Sequence, residues 1–233
     1  FAFFYARLIV IYILSILFAS RLQIAAPTEN ERHGPQRPLR QIASQPAFVV
    51  AVLSATVAYG VMNLLMTSTP LAMAGCGHSF SDTALVIEWH VLAMFTPSFF
   101  TGSIINRFGT LRVMGTGAVI LFASVAVNLS GTSVPHFVAA LILVGIGWNF
   151  LFVGATSLVT ESYSVPEKAK TQGLNDLIIF TTVAFTAVSS GIIHELAGWE
   201  MLNMMVLPAI ALALAAIVWF GYRCGRDWRV NTA

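Results

Sequence analysis

Seven apolar runs, each long enough to cross a bilayer, leave this chain very few folds to choose from. They cover Phe1–Ser20, Pro46–Ala74, Ala84–Asn106, Val113–Ser130, Pro135–Ser162, Gly173–His194 and Trp199–Tyr222. A helical span needs ~20 apolar residues to cross the hydrocarbon core. Lipid offers the backbone no hydrogen-bond partner, so each run must satisfy its own N–H and C=O groups as an α-helix. Charged residues make up 9% of the chain, against ~25% in a soluble domain, too few to cover a water-facing surface. The expected class is therefore all-α: a polytopic membrane helix bundle with seven transmembrane helices.

The connections carry a second pattern. Arg21, Arg32, Arg37 and Arg40 lie in the first, Arg107 and Arg112 in the third, Lys168 and Lys170 in the fifth. Arg223, Arg226 and Arg229 lie in the tail, while the second, fourth and sixth connections hold Asp82, Glu195 and Glu200 and no basic residue. Eleven of the 12 basic residues thus fall on one side, Arg7 inside a span being the exception. Basic loops stay in the cytoplasm, so the C-terminus is expected inside and the membrane is expected to be a bacterial inner (plasma) membrane. A secretory signal peptide carries its positive charge ahead of the apolar run. Here the basic residues follow it, and Phe1–Ser20 reads as a span. The net charge of +2 gives no reason to expect a nucleic-acid partner. Cys76 and Cys224 are expected on opposite sides of the membrane, which rules out a pair between them.

The spans differ in polarity. On a helix turning ~100° per residue, Thr56, Tyr59, Asn63, Thr67 and Pro70 share a face of the second span. Gly145, Asn149, Thr156 and Thr160 share one in the fifth, and Asn175, Thr182, Thr186 and Ser189 one in the sixth. Three stripes beside spans that lack them point to helices lining a polar cavity. The alternative is hydrogen bonding between helices, which enriches Ser and Thr at any contact. The substrate-facing candidates are Tyr59, Asn63, Trp148, Asn149, Thr156, Thr182 and Thr186. Pro70, Pro97 and Pro208 fall within spans and are expected to kink or loosen them. Ionisable groups within spans are functional-site hypotheses by default, and the proton-coupling candidates are Glu88, His90 and Asp176. Glu88 and His90, two residues apart, point ~200° away from each other on a helix. For Asp176 a structural role, pairing with Lys168, Lys170 or Arg107, is the preferred reading.

The stretch Gly102-x-x-x-Asn106-Arg107-x-Gly109-x-x-Arg112 reads as a tight charged hinge at a membrane surface. It resembles the Gly-x-x-x-Asp-Arg-x-Gly-Arg-Arg turn of the major facilitator superfamily (MFS), with Asn106 in place of the acid and only Arg112 left of the second basic pair. The loop Glu161-x6-Lys168, with Pro166 and Glu167, is similar to the Glu-x6-basic pattern after that family's tenth helix. In that register the seven spans correspond to the family's helices six to twelve. The resemblance implies that helices seven, eight, ten and eleven line the substrate path; these are the second, third, fifth and sixth spans, the four studded with polar groups. It also implies a gate built from Gly102, Asn106, Arg107, Gly109, Arg112, Glu161 and Lys168. Gly102 is expected to admit a close neighbour, and Arg107 to pair with Glu161 as a cytoplasmic latch. Topology alone is the other explanation of the basic residues.

The expected organisation is a span at 1–20 ending an N-terminal half, a flexible cytoplasmic loop between halves at 21–45, a six-helix half at 46–224 and a cytoplasmic tail at 225–233. The chain opens on Phe1 inside an apolar run, and is expected to be a fragment that the missing half of the same chain completes. A retinal protein needs a Lys in its last helix, and both lysines lie in a loop. A seven-helix receptor or channel remains the alternative. His194-Glu195-Leu196-Ala197-Gly198 begins like a zinc-protease helix but puts Gly198 where the second His must stand, so no enzyme, metal or cofactor is expected. The expected activity is secondary active transport of a neutral, amphipathic or cationic small molecule by alternating access. Efflux in exchange for protons is preferred, and uptake is the alternative.

Overall fold

The structure, a computed structural model, describes residues 2–21 and 34–223. Arg32, Cys224, Arg226, Trp228 and Arg229 lie outside the described residues, and of Arg7 only the helical backbone is described. The chain divides into two units, Phe1–Pro35 and Gln36–Ala233. In the first, helix α1 (Ala2–Arg21) exposes Tyr12, Ile13, Leu14, Ile16, Leu17 and Phe18. A helix apolar on every side is suited to hydrocarbon rather than to water.

The second unit is also helical. After a short helix, α2 (Leu39–Ala43), come α3 (Pro46–Gly75), α4 (Phe80–Phe95), α5 (Ser98–Phe108), α6 (Thr110–Ser130), α7 (Val134–Thr160) and α8 (Lys168–Arg223). Each apolar run beyond Pro46 has its helix, with two differences from expectation. The third run is broken: α4 and α5 meet at a bend of 42° around Pro97. The last two runs form a single element of 56 residues, interrupted where Gly198 adopts φ 78°. At 1.5 Å per residue an unbroken helix of that length would run ~84 Å, far beyond a ~30 Å hydrocarbon core. Gly198 therefore divides α8 into arms at 168–197 and 199–223.

Side-chain register gives the direction of each helix. Asn63 and Ser68 of α3 meet Thr186 and Ser190 of α8, so α3 and the first arm run parallel. His90 and Thr101 meet Leu141 and Asn149, so α4–α5 runs parallel to α7. A Cβ on Gly117 would meet Leu151, and one on Gly154 would meet Met114, so α6 and α7 are antiparallel. Asn128 of α6 bonds Asn203 of the second arm, while Leu111 lies beside Gly221, so these too are antiparallel.

Two ends follow. At one, the turn after α3 touches the turn after α6 through His78 and Thr132. At the other, the segment before α3 touches the loop after α7 through Arg37 and Glu167. The register brings Arg37, Arg40, Arg107, Arg112, Lys168, Lys170 and Arg223 to this second end. The charge alternation of the sequence is thus a physical segregation of charge in the bundle.

The turn at Gly102–Arg112 is tighter than the sequence indicates. Helix α5 continues to Phe108, and Gly109 (φ 88°) alone separates it from α6. A side chain at that φ is strained, and the residue is glycine. At the start of α3 the N-cap is Gln45, while Ser44 closes α2.

Candidate functional site

Five aromatic rings from four helical segments converge halfway along the bundle. Trp148 and Phe152 of α7 stack with centroids 5.0 Å apart and planes 10° apart. Tyr59 of α3 stands edge-on to both, at 5.4 Å and 5.2 Å. Phe95, the last residue of α4, meets Trp148 at 6.4 Å, and Phe180 of α8 meets Tyr59 at 6.1 Å. These are the separations at which edge-to-face and offset pairs are favourable. Trp148 is 6% exposed, whereas Phe95 and Phe180 are each 57% exposed. The cluster is therefore a floor of buried Trp148 and half-buried Tyr59 and Phe152 between two exposed rings.

Its depth is set by helix length. Tyr59 is the fourteenth of 30 residues in α3, and Trp148 the fifteenth of 27 in α7. Phe180 is the thirteenth residue of α8, and Phe95 stands at the break in the bent pair. All four lie near the middle of their spans, the depth at which secondary transporters bind substrate. The indole Nε1–H of Trp148 is buried with no hydrogen-bond partner among the described residues.

Within the polar stripes the asparagines Asn63 and Asn149 join helices, while most of the hydroxyls bond their own helix. Asn63 donates from Nδ2 to Thr186 Oγ1 (2.9 Å) and to the Val183 carbonyl (3.1 Å), tying α3 to α8. The methyl of Thr182 packs 3.3 Å from where a Cβ on Gly60 would stand, and its hydroxyl donates to Ile178 O. Thr156 donates to Val153 O within its own helix. Asn149 is fully buried, and its amide is engaged with Met94, Ser98 and Thr101 across the break between α4 and α5. The amide of Asn149, expected among the substrate-facing groups, is thus bonded to another helix through both Nδ2 and Oδ1. Of the seven candidates, Tyr59 and Trp148 come together in the aromatic cluster. Phe95, Phe152 and Phe180 complete the cluster, and an aromatic residue in a membrane span carries no polar signal in the sequence.

The ionisable candidates separate as helix geometry requires. Glu88 is exposed, whereas His90 is buried and bonds Leu141 O through Nδ1 at 2.8 Å. Asp176 is exposed and accepts from Asn175 Nδ2, not from Lys168, Lys170 or Arg107.

The gate also differs from expectation. Arg107 lies over the ring of Phe108, 5.5 Å from its centroid. The ion pair found among the described residues joins Arg37 to Glu167, not Arg107 to Glu161. Glu167 accepts from Arg37 Nη2 (2.7 Å), Arg37 Nε (2.9 Å), Arg37 N (2.7 Å) and Ser164 N (2.9 Å). The Arg37 guanidinium, with the Ser164 N–H, holds this carboxyl well below the usual carboxylate range. Arg37 Nη2 and Gln45 Nε2 both reach Ser162 O, and Lys170 Nζ reaches Arg37 O. The reason for the exchange is local. A capping box between Ser164 and Glu167 turns the second acid of the loop inward, while Glu161 stays exposed as the C-cap of α7. The end of the 21–45 loop is therefore tied to the bundle rather than free. Gly102 has no atom within 4 Å of where a Cβ would stand, so no neighbour among the described residues requires glycine there. Asn106, Arg112 and Lys168 are exposed.

Several helices long and apolar enough to cross a bilayer, with basic residues gathered at one end, define an integral, multi-pass membrane protein. The sequence profile of the Major Facilitator Superfamily matches residues 51–231, and the chain belongs to that superfamily. It is 43% identical to a riboflavin transporter, RfnT, of Brucella anthropi over 205 residues, 88% of this chain and 52% of the relative. It is 32% identical to an uncharacterised MFS-type transporter, YddS, of Bacillus subtilis over 69% of this chain and 37% of that protein. A methylenomycin A resistance protein of Bacillus subtilis is 23% identical over 79% of this chain and 38% of its own length. The chain thus spans about half the length, or less, of these relatives.

Proposed function

We propose that this chain is the C-terminal part of a secondary transporter that moves a planar, uncharged aromatic molecule by alternating access, with riboflavin the first compound to test. The observation that carries the reading is the aromatic cluster at mid-depth. Two exposed rings, Phe95 and Phe180, flank a floor of Tyr59, Trp148 and Phe152. A ring system entering between the rims gains stacking and edge contacts, each worth ~0.5–1.5 kcal/mol beyond area burial. No Lys or Arg lies among these rings, which disfavours a highly charged anion. The 43% identity to a riboflavin transporter supports the same class of cargo.

In this reading 1–20 is the last span of an N-terminal half, 21–45 the loop between halves and 46–224 the C-terminal half. The N-terminal half supplies the opposite wall of the site. The basic end of the bundle faces the cytoplasm of a bacterial inner membrane. Coupling to protons falls to the exposed acids Glu88 and Asp176 or to the buried His90. Similarity to a resistance protein favours export, and similarity to a riboflavin transporter leaves the direction to measurement. The test is flux of labelled riboflavin through the full-length protein in proteoliposomes, with and without a pH gradient of either sign. Saturable flux that Tyr59→Ala weakens supports the site. Flux indifferent to both Tyr59→Ala and Phe180→Ala overturns it.

A further inference from the structure

The break between α4 and α5 lies at the depth of the aromatic cluster, and one side chain from another helix bridges it. Pro97 has no N–H to give the Ala93 carbonyl, and α4 ends just before it, so carbonyls in the last turn of α4 lose their helical partners. A carbonyl freed inside a membrane needs a partner from a neighbour. Asn149 of α7 supplies one: its Nδ2 donates to Met94 O at 2.8 Å, on the α4 side. The same Nδ2 lies 2.6 Å from Ser98 Oγ, on the α5 side. Its Oδ1 accepts from Thr101 Oγ1 at 2.6 Å, also on the α5 side, and the Thr101 hydroxyl lies 2.8 Å from Pro97 O as well. One buried amide thus holds both segments of a helix bent by 42°. Close packing makes this contact rigid: a Cβ on Gly145, one turn before Asn149, would stand 2.9 Å from both His90 O and Met94 N. Asn149 also directly follows Trp148, and Phe95 directly follows Met94.

We infer that Asn149 is a positioning residue that sets the α4–α5 bend and couples it to the aromatic site. A shift of Trp148 on substrate entry moves the amide that holds the hinge, and a change in the hinge moves the Phe95 rim. The inference rests on the substrate reading above for its cargo, but its geometry stands independently.

The test uses the full-length protein with Cys76 and Cys224 replaced. Three variants are compared: Asn149→Leu, the double variant Ser98→Ala/Thr101→Val, and their combination. Each is first checked for a monodisperse, folded state in detergent. Two readouts follow: riboflavin flux resolved into KM and maximal rate, and the distance distribution between spin labels at positions 85 and 102, on either side of the break. A positioning role lowers the maximal rate at least tenfold in Asn149→Leu, with KM changed less than threefold. The double variant does the same, the combination is no worse than Asn149→Leu, and the label distances broaden in all three. A raised KM in Asn149→Leu with a silent double variant would show that Asn149 contacts substrate and would overturn the inference. So would unchanged label distances. Broadened distances in a protein that carries no riboflavin would leave the hinge intact and remove only the substrate reading.

Discussion

Glycine positions separate residues that hold helices together from residues that only permit a turn. Gly145 and Gly117 lie against backbone: a Cβ on Gly117 would stand 2.6 Å from Leu151 N. Small residues let membrane helices approach this closely. Gly145→Ala is expected to lower stability by about 1–3 kcal/mol, as overpacking does, read as a lower midpoint in thermal unfolding of the detergent-solubilised protein. Gly102→Ala, with no atom in reach inside α5, is expected to hold that midpoint or raise it slightly, because alanine favours a helix over glycine. Equal shifts in the two variants would contradict the packing. At the site, Tyr59→Ala removes edge contacts to two rings. It also takes away one edge contact to a bound planar ring, worth ~0.5–1.5 kcal/mol, so KM for a planar aromatic substrate is expected to rise about two- to twelvefold.

Among elements, the segment before α3 and the loop after α7 form a latch. Arg37 and Glu167 lie at its centre, with Gln45 donating to Ser162 O and Lys170 to Arg37 O. Arg37→Ala is expected to make the chain more sensitive to trypsin at Arg40, and Glu167→Gln to do the same to a lesser degree. Unchanged cleavage in both would mean that the segment is held by packing alone. The pH dependence follows from the direction of the Glu167 shift. A carboxyl held below its ordinary range adds stability above the usual carboxylate pKa and loses it only as pH falls through its own lower value. Protection of Arg40 from a protease active over the whole range is therefore expected to be flat from about pH 8 to pH 5 and to weaken below the ordinary carboxylate range of ~4. Any dependence of transport on pH near neutrality then has its origin elsewhere in the protein.

For the whole molecule, the segregation of basic residues to one end makes orientation testable. Cys76 is exposed at the opposite end. In intact cells it is expected to react with a membrane-impermeant thiol reagent, while Cys224 reacts only after permeabilisation. The reverse pattern would invert the bundle in the membrane. The sequence alone determined the helical class, the helix boundaries after Pro46 to within a few residues, and the alternation of charge. These are local consequences of lipid: apolar length, backbone satisfaction and loop charge act within each segment. The tertiary structure decided which polar groups were free. Asn63 and Asn149 have the same spacing signal as a cavity wall, yet both spend their amides on a neighbouring helix. It also decided that Glu167, not Glu161, takes the arginine, and that the arginine is Arg37. Periodicity tells which residues share a face, but only packing decides whether that face meets a helix, a lipid or a substrate.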